Sequence, residues 1–302
     1  MKTKRELSIL IPNYNNVCVG LVSVLQQQAA ALDITYEILV ADDASPDQDA
    51  IRINRAINEL PHCRYIVKEQ NSGSAATRNY LGARSRYHWL LFMDCDIDIP
   101  DDRFLERYVK DEHEGVVNGG ICIADDDRLR HNLRYLYEKD AEPEHSAEKR
   151  QADKYHEFRS TNFMIEREVF EACPFDERFK RSGYEDVLFG KTLKQQGVSI
   201  THIDNPVMMT EFESNPDYVK KIERSLQTLY TFRNELRGYS RILTFDTGIH
   251  IGAVRGMIRL WHRLFGALER RNLCSERPCL KVFNIYRMGY YLTEACKPLR
   301  KI

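Results

Sequence analysis

The first hundred residues alternate short, continuously apolar runs with segments of helical spacing, and this rhythm restricts the fold more than any other feature. Apolar runs occupy residues 7–11, 36–41, 64–68 and 89–93, with helical segments at 17–32, 50–60 and 75–86 between them. Strands that are apolar at every position are typical of parallel sheets covered on both faces, with helices as the crossovers. The pattern predicts an α/β fold built on a doubly wound, mostly parallel sheet.

The remainder of the chain is less regular. Further strands are predicted at residues 116–123, 161–165 and 198–203. A helix is predicted at residues 187–196, closed by Gly197. Residues 125–159 are highly charged and are expected to form a helical or mobile excursion. From residue 214 onward the pattern is mostly helical. We therefore expect an α/β domain at residues 1–213 and a basic helical segment at residues 214–302.

Charge is distributed unevenly between these two parts. The whole chain has a net charge of -1, which gives no indication of nucleic-acid binding. Residues 214–302 contain 17 Lys/Arg and 7 Asp/Glu, a net charge of +10, which leaves -11 for residues 1–213. A basic segment predicts contact with an anionic partner, such as a membrane surface or a phosphate-bearing acceptor. A solvated helical face explains the same charges equally well.

The basic segment includes an apolar stripe at helical spacing. Its members are Met257, Leu260, Trp261, Leu264, Phe265 and Leu268. Arginines lie between them at Arg255, Arg259, Arg263, Arg270 and Arg271. The stripe either packs on the α/β domain with the arginines in solvent or contacts a membrane.

Cysteine content and hydropathy indicate the compartment. The chain has eight cysteines but no CxxC pair, so we expect no zinc cluster, and we expect a reduced, cytoplasmic protein. The basic N-terminus is followed by an apolar run that stops at Pro12, too short for a signal peptide. No apolar stretch reaches the roughly 18 residues that a transmembrane helix needs. Peripheral contact with the inner face of a membrane remains a hypothesis for the basic segment.

Four polar clusters follow the predicted parallel strands. They are Pro12-Asn13-Tyr14, Asp42-Asp43, Asn71-Ser72-Gly73 and Asp94-Cys95-Asp96. Ligands of open α/β sheets bind beyond the carboxyl ends of the strands. The four clusters are therefore expected to converge on one edge of the sheet and to form a binding site there.

The Asp94-Cys95-Asp96 triplet gives the clearest chemical indication. Two carboxylates one residue apart at the end of a buried strand can point the same way. Their oxygens suit a hard divalent cation, which would neutralise a diphosphate. The alternative is an acidic turn, and the position after an apolar strand favours the metal site.

Three other polar positions each have a functional and a structural interpretation. A carboxylate of the Asp42-Asp43 pair could accept the imide N–H of a uracil ring or cap the following turn or helix. Residues 71–74 and Arg78 could hold a phosphate at a helix N-terminus or form a plain loop. Asp186, just before a predicted helix, could act as a general base or as an N-terminal cap.

In this order, the motifs resemble the family 2 glycosyltransferases with the GT-A fold, over about residues 7–213. The segments that carry the resemblance are SILIPNYN at 8–15, VADDAS at 40–45, Arg78-Asn79, LLFMDCD at 90–96, STNF at 160–163 and GYED at 183–186. The resemblance implies a glycosyltransferase that uses a nucleotide-sugar, a UDP-sugar in particular. It implies a saccharide or lipid-linked acceptor in polysaccharide or glycolipid assembly.

The resemblance also implies roles at the matching positions. The nucleotide would contact Pro12, Tyr14, Asp43, Arg78 and Asp94. Mn2+ or Mg2+ would bind Asp96, with Asp94 at the metal or the ribose, and would act as a Lewis acid for the leaving nucleoside diphosphate. Asp186 would be the base of an inverting displacement, with Glu185 beside it in the acceptor site.

One position departs from the family pattern. Similar sequences place a metal-binding His after the segment 202–207, and here Met209 aligns with it. A thioether is a poor ligand for Mg2+ or Mn2+. Glu211, His202 or solvent could substitute.

Two alternative functions fit part of the pattern. Met209 leaves open a nucleotide-sugar-binding protein with impaired turnover. A sugar nucleotidyltransferase also combines such a sheet with acidic metal ligands, but it would have a Gly-rich, Lys/Arg-bearing loop after the first strand. Residues 12–16 contain no glycine.

Overall fold

The computed structural model describes residues 6–110, 114–180, 183–248 and 252–295. The described residues form two compact units. The first comprises residues from 1–124 and 144–211, and the second residues from 125–143 and 212–302. Part of the charged excursion, residues 125–143, therefore groups with the C-terminal helices. The division after residue 213 stays a prediction.

The strands of the described residues all belong to the first unit. They are β1 (Glu6–Asn13), β2 (Thr35–Asp42), β3 (Cys63–Val67), β4 (Trp89–Met93), β5 (Ile97–Asp98), β6 (Val116–Asn118), β7 (Ile121–Ile123), β8 (Asn162–Glu166), β9 (Ile200–His202) and β10 (Val207–Met209). Seven of them form one sheet in the order β3-β2-β1-β4-β8-β6-β9, and the others form a small sheet in the order β5-β10-β7. In the large sheet only β8 runs antiparallel to its neighbours.

The helices are distributed over both units. They are α1 (Val19–Ala30), α2 (Gln48–Asn54), α3 (Ser74–Arg84), α4 (Phe104–Lys110), α5 (Leu133–Ala141), α6 (Ala147–Ala152), α7 (Arg167–Ala172), α8 (Glu185–Gln195), α9 (Asn215–Thr231), α10 (Arg241–Gly248), α11 (Gly252–Leu273) and α12 (Leu280–Thr293). Helices α5 and α9 to α12 belong to the second unit. None of the described helices is both long and apolar enough to cross a membrane.

Both faces of the large sheet are covered, which explains the continuously apolar strands. Successive strand residues point to opposite faces. In β1, Ile9 joins a core that includes α1. Its neighbour Leu10 joins a second core that includes Phe170 of α7 and Phe189 of α8. The predicted doubly wound, mostly parallel α/β fold with a helical C-terminal segment is confirmed.

The prediction of a single strand at residues 116–123 is wrong, because Gly119 and Gly120 divide this segment into β6 and β7. A Cβ on Gly119 would lie 2.4 Å from both the Asn162 side-chain nitrogen and the Tyr108 hydroxyl. Gly120 has a φ of +88°, a conformation that favours glycine. The two strands consequently join different sheets.

The strand order places a topological switch between β1 and β4. From β1 the chain adds β2 and β3 on one side of the sheet, and β4 then pairs in parallel with the other side of β1. Loops that leave neighbouring strands in opposite directions open a crevice at their carboxyl ends. This geometry places a ligand site beside Asn13 and Met93, the last residues of β1 and β4.

Candidate active site

The polar clusters predicted to converge lie along one edge of the large sheet. The Asp43 amide donates to the Asn13 carbonyl at 2.8 Å, which joins the ends of β2 and β1. The Asp94 amide donates to the Thr161 carbonyl at 3.0 Å, which adds the start of antiparallel β8. The backbone of Tyr14 hydrogen-bonds the thiol of Cys95. The loops after β1, β2 and β4 are thus tied together.

Asp43 is buried and organises the loop after β3. Its carboxylate accepts hydrogen bonds from Lys68 Nζ at 2.5 Å, the Ser72 amide at 3.0 Å and the Gly73 amide at 2.7 Å. Burial raises the pKa of Asp43, but these hydrogen bonds outweigh it and hold the pKa below its ordinary value. Asp43 therefore does not cap the turn that follows it; Asp42 does so, because its Oδ1 accepts from the Ser45 amide at 2.8 Å. The contact of Asp43 with the nucleotide base stays a prediction.

We expect Asp43→Asn to lower the free energy of unfolding by about 1 to 3 kcal/mol, because the amide cannot accept all three donors. A carboxyl group with a lowered pKa stabilises the fold above its unfolded-state pKa, and this contribution is lost as the pH falls through the folded-state pKa. Urea titration should therefore show a large difference from wild type at pH 7 that shrinks below pH 4.

The matched control for this prediction is Asp49→Asn. Asp49 is an exposed carboxylate paired with Arg52 at 2.8 Å on α2. Exposed pairs contribute little, so this variant should unfold like wild type. Equal unfolding free energies for Asp43→Asn and Asp49→Asn at pH 7 would contradict the role of Asp43.

Arg78 lies in the second turn of α3, with only 3% of its surface exposed. Its Nη2 donates to Asp94 Oδ1 at 2.6 Å, and its Nη1 to the Ser74 hydroxyl. Its Nε is buried without a hydrogen-bond partner in the described part of the chain. A buried guanidinium with an unsatisfied donor at the start of a helix suits an anionic ligand.

Asp94 and Asp96 supply oxygen ligands suited to Mg2+ or Mn2+. Both side chains are half-buried between β4 and β5, and Asp94 Oδ1 already accepts from Arg78. No group of three or more His, Cys, Asp or Glu side chains that could hold a metal occurs among the described residues. Mg2+ commonly binds one or two carboxylates together with substrate phosphates, so two carboxylates fit such a site.

The structure places Met209 beside this triplet. Met209 of β10 pairs with Ile97, the residue after Asp96. His202 does not substitute for it: Nδ1 lies 2.7 Å from Arg150 Nη1, and Nε2 lies 2.9 Å from the Lys154 carbonyl. The suggestion that His202 completes the metal site is therefore wrong.

Glu211 lies closer to the predicted nucleotide loop. Its Oε2 accepts from Asn16 Nδ2 at 3.5 Å, and Asn16 belongs to the loop after β1. Its carboxylate is exposed. As a third metal ligand it stays a prediction.

Glu185 and Asp186 form the first turn of α8. Glu185 Oε2 accepts from the Gly183 amide at 2.6 Å, and Asp186 Oδ1 accepts from the Val187 amide at 2.8 Å. Burial raises the pKa of both carboxyl groups, and the charge of Asp186 raises that of Glu185 further. The positive charge of Arg78 acts against burial and lowers both pKa values.

Arg78 therefore links the two predicted halves of the site. It forms an ion pair with Asp94 on the donor side and acts electrostatically on Glu185 and Asp186 on the acceptor side. The remaining predicted residues lie less centrally. Pro12 is a half-buried residue of β1 opposite Ala41, and Tyr14 is an exposed residue of the following loop.

Sequence reasoning missed two basic residues of this region. Lys68 bonds Asp43, and Arg159 lowers the pKa of Asp186 through its charge. Lys68 follows β3 directly, so its position at a strand end was an available signal. Arg159 ends the charged excursion and offered no such signal.

Backbone strain is concentrated in the same loops. Among the described residues, positive φ angles occur at four non-glycine positions, and three of them are Asn15, Ala44 and Tyr184, with φ of 54°, 56° and 69°. Residues in this conformation are costly and cluster at functional sites. They follow β1, follow β2 and precede α8, so each lies beside a candidate residue: Tyr14, Asp43 and Glu185.

A family model described as Glycosyl transferase family 2 matches residues 8–173, more than half of the chain. The chain belongs to glycosyl transferase family 2. The predicted family, enzyme class and GT-A fold are confirmed. The matched residues include the loops after β1, β2 and β4 but end before Glu185 and Asp186.

Curated relatives of this family 2 glycosyltransferase are distant, and each match covers only part of the relative. Chondroitin synthase of Escherichia coli is 26% identical over 230 residues, 63% of this chain and 32% of that protein. An uncharacterized glycosyltransferase of Haemophilus influenzae is 26% identical over 124 residues, 39% of this chain and 48% of that one. The chain thus matches less than half the length of either relative.

A solved structure confirms the fold over nearly the whole chain. It is the mannosyltransferase PcManGT from Pyrobaculum calidifontis in complex with GDP-Man and Mn2+. It superposes with a TM-score of 0.56 at 13% identity and covers 95% of this chain and 84% of its own. At this identity the likeness concerns the fold.

Proposed function

We propose that this family 2 glycosyltransferase transfers a sugar from a nucleoside-diphosphate donor, a UDP-sugar, to a saccharide or lipid-linked acceptor with inversion. The observation that carries the proposal is the position of Arg78. One buried cation is paired with Asp94 of the triplet and lies within electrostatic range of the acidic pair that begins α8. A negatively charged leaving group can therefore bind on the Asp94 side of Arg78, and a base can act on the side of the α8 acidic pair.

The donor side binds the nucleoside diphosphate. The start of α3 presents backbone amides and the Arg78 guanidinium, whose Nε is unsatisfied, to the phosphates. Tyr14 and Pro12 border the nucleoside, and Asp43 holds the loop before α3 in place. Helix amides and a fixed guanidinium stabilise charge without reorganisation, which is the main electrostatic contribution to catalysis.

Asp94 and Asp96 would hold a divalent cation, which neutralises diphosphate charge and acts as a Lewis acid for the leaving group. Arg78 keeps Asp94 oriented through the bond to Oδ1. The solved mannosyltransferase is described with GDP-Man and Mn2+, a ligand pair of the chemical class proposed here.

The acceptor side supplies the base. The Val187 amide fixes Asp186 Oδ1, and the raised pKa of Asp186 makes it a stronger base once ionised. Asp186 removes the proton from the acceptor hydroxyl as its oxygen attacks the anomeric carbon. The bond to the acceptor oxygen forms while the bond to the phosphate oxygen breaks, and the nucleoside diphosphate leaves with the electron pair. Attack opposite the leaving group inverts the configuration.

The test measures UDP release by the full chain from a panel of UDP-sugars, with and without Mn2+. We expect Mn2+-dependent release, and a loss of about a hundredfold or more in Asp96→Ala, because metal and charge stabilisation contribute several kcal/mol. The matched control is Asp98→Ala, which changes an exposed carboxylate in β5, two residues after Asp96 in the chain.

Two outcomes would count against the proposal. Wild-type turnover and Mn2+ dependence in Asp96→Ala would remove the metal role of the triplet. Calorimetric binding of UDP-sugar without UDP release, for every acceptor tried, would replace the transferase mechanism with that of a nucleotide-sugar-binding protein, the function that Met209 leaves open.

A further inference from the structure

Helix α11 presents an apolar surface outward. Six of its large apolar side chains are between 38% and 63% exposed: Met257, Leu260, Trp261, Leu264, Phe265 and Leu268. Residues three and four apart lie on one helix face, so these six form a continuous stripe. We call it the α11 apolar face.

The side that α11 buries is the more polar one. Its buried residues are His262, Gly266, Glu269 and Leu273. Glu269 accepts from Trp261 Nε1 at 2.7 Å and lies 3.2 Å from His262 Nδ1. Helices on protein surfaces normally bury their apolar side, and exposed contiguous apolar surfaces mark interaction sites. The reversed arrangement indicates that the α11 apolar face is covered by a partner.

The charges around this face are positive. Arg259 and Arg263 lie one helical turn apart along one border of the stripe, and Arg271 lies at its C-terminal end. The charge of Arg270 is compensated, because its Nε forms an ion pair with Glu223 of α9 at 2.9 Å. Arg263 and Arg271 are exposed. Glu269 is the single acidic residue of α11, and it is buried and occupied by Trp261. The exposed side of α11 therefore carries positive charge without acidic side chains.

From this geometry we propose that the α11 apolar face lies on an anionic lipid surface. An amphipathic helix with Trp, Phe and Leu on one side and arginines at its border is typical of helices that lie in the membrane interface. Tryptophan favours the headgroup region, and arginine is attracted by anionic lipid. The helix is not apolar enough to span the bilayer, so it lies along the surface.

A second copy of the chain is the less favourable partner. In a two-fold symmetric dimer the same surface patch meets itself. The arginine rows of two α11 helices would then lie close together with no exposed acidic residue of α11 to oppose them. An anionic lipid surface supplies the missing negative charge.

The test is sedimentation of the full chain with vesicles of phosphatidylcholine alone or mixed equally with phosphatidylglycerol. We expect binding to the mixed vesicles and not to the neutral ones. Binding should weaken at about 0.5 M salt, because salt screens the attraction between the arginines and the anionic lipid. The double variant Leu260→Glu with Leu264→Glu should bind at least about tenfold more weakly, because two inserted side chains are lost. Arg263→Glu should weaken binding by about tenfold.

The matched control makes the same change in net charge at two exposed apolar residues elsewhere. It is Val24→Glu with Ile53→Glu, two exposed apolar residues on α1 and α2. This variant should sediment with mixed vesicles nearly as wild type does. Equal binding by the two double variants would overturn the proposal, and so would wild-type protein that stays in solution with mixed vesicles at low salt.

Tryptophan fluorescence gives an independent readout. The chain has two tryptophans. Trp89 is 3% exposed in β4, and Trp261 is 49% exposed on the α11 apolar face. Vesicles that contain brominated lipid should quench the fluorescence of Trp261 and leave the fluorescence of Trp89 unchanged. A dimer in solution that the Leu260→Glu, Leu264→Glu variant dissociates would assign the face to a second copy and overturn the lipid proposal.

Discussion

Asp186→Asn is expected to lower the turnover number about a thousandfold while binding of the nucleoside diphosphate changes little. The amide keeps the size of the side chain and can still accept from the Val187 amide at the start of α8. It cannot take a proton from the acceptor. General base catalysis typically contributes about 100- to 10,000-fold, so the loss should appear in the chemical step. Steady-state kinetics and calorimetry with UDP separate the two effects.

The neighbouring Glu185→Gln is the control for this substitution. Its side chain can still accept from the Gly183 amide, so the start of α8 should be preserved. We expect a loss of about tenfold, mainly as a higher KM for the acceptor, because this residue is assigned to acceptor binding rather than proton transfer. A thousandfold loss in Glu185→Gln with near-normal turnover in Asp186→Asn would move the base to Glu185.

The raised pKa of Asp186 also predicts an effect on stability. A carboxyl group whose folded-state pKa is raised stabilises the fold below its unfolded-state pKa, and this contribution is lost as the pH rises through the folded-state pKa. Asp186→Asn removes the partly buried charge, so the variant should melt at a higher temperature than wild type at pH 7 to 8. The difference should vanish near pH 4. A lower melting temperature for the variant at pH 8 would contradict the burial argument.

Arg78→Met is expected to impair both donor use and stability. The methionine retains much of the apolar stem but leaves Asp94 and Ser74 without the guanidinium. Removing one partner of a charged hydrogen bond at a buried site costs about 1 to 3 kcal/mol or more. Because the Asp94 side chain is 29% exposed, water compensates in part, and we expect about 2 kcal/mol. Urea titration measures this loss.

The kinetic effect of Arg78→Met should be larger. We expect kcat/KM for the donor to fall by about 100- to 1,000-fold, because a preorganised donor to the leaving group is lost. The matched control is Arg84→Met at the last turn of the same helix, where the guanidinium is exposed and stacks on Tyr80 at 3.6 Å. That variant should keep wild-type kinetics and lose less than about 1 kcal/mol. Equal kinetics in the two variants would remove Arg78 from the site.

Much of the fold was predictable because it depends on local patterns. Apolar runs near residues 7–11 and 89–93 became β1 and β4, and Gly197, with a φ of +69°, follows the end of α8. The carboxyl ends of parallel strands must lie at one edge of a sheet, so the sequence alone predicts that the clusters around Tyr14 and Asp94 lie together.

The pairing of side chains within that edge was not predictable. Arg78 and Asp94 are 16 positions apart, and Asp43 and Gly73 are 30 apart. No periodicity relates such positions. The same holds for His202, whose ring Nδ1 lies within hydrogen-bond distance of Arg150, 52 positions away. Each of these partners is set by packing of distant elements.

By itself, the sequence determined the α/β fold, the edge of the sheet that carries the polar clusters, and the resemblance to family 2 glycosyltransferases. These properties follow from hydrophobic period and from motif order, which are local. Only the tertiary structure decided that Asp43 secures a loop, that Arg78 pairs with Asp94, and that the α11 stripe is exposed. Burial and long-range charge pairing depend on which surfaces meet, and helical spacing alone cannot tell a buried apolar face from an exposed one.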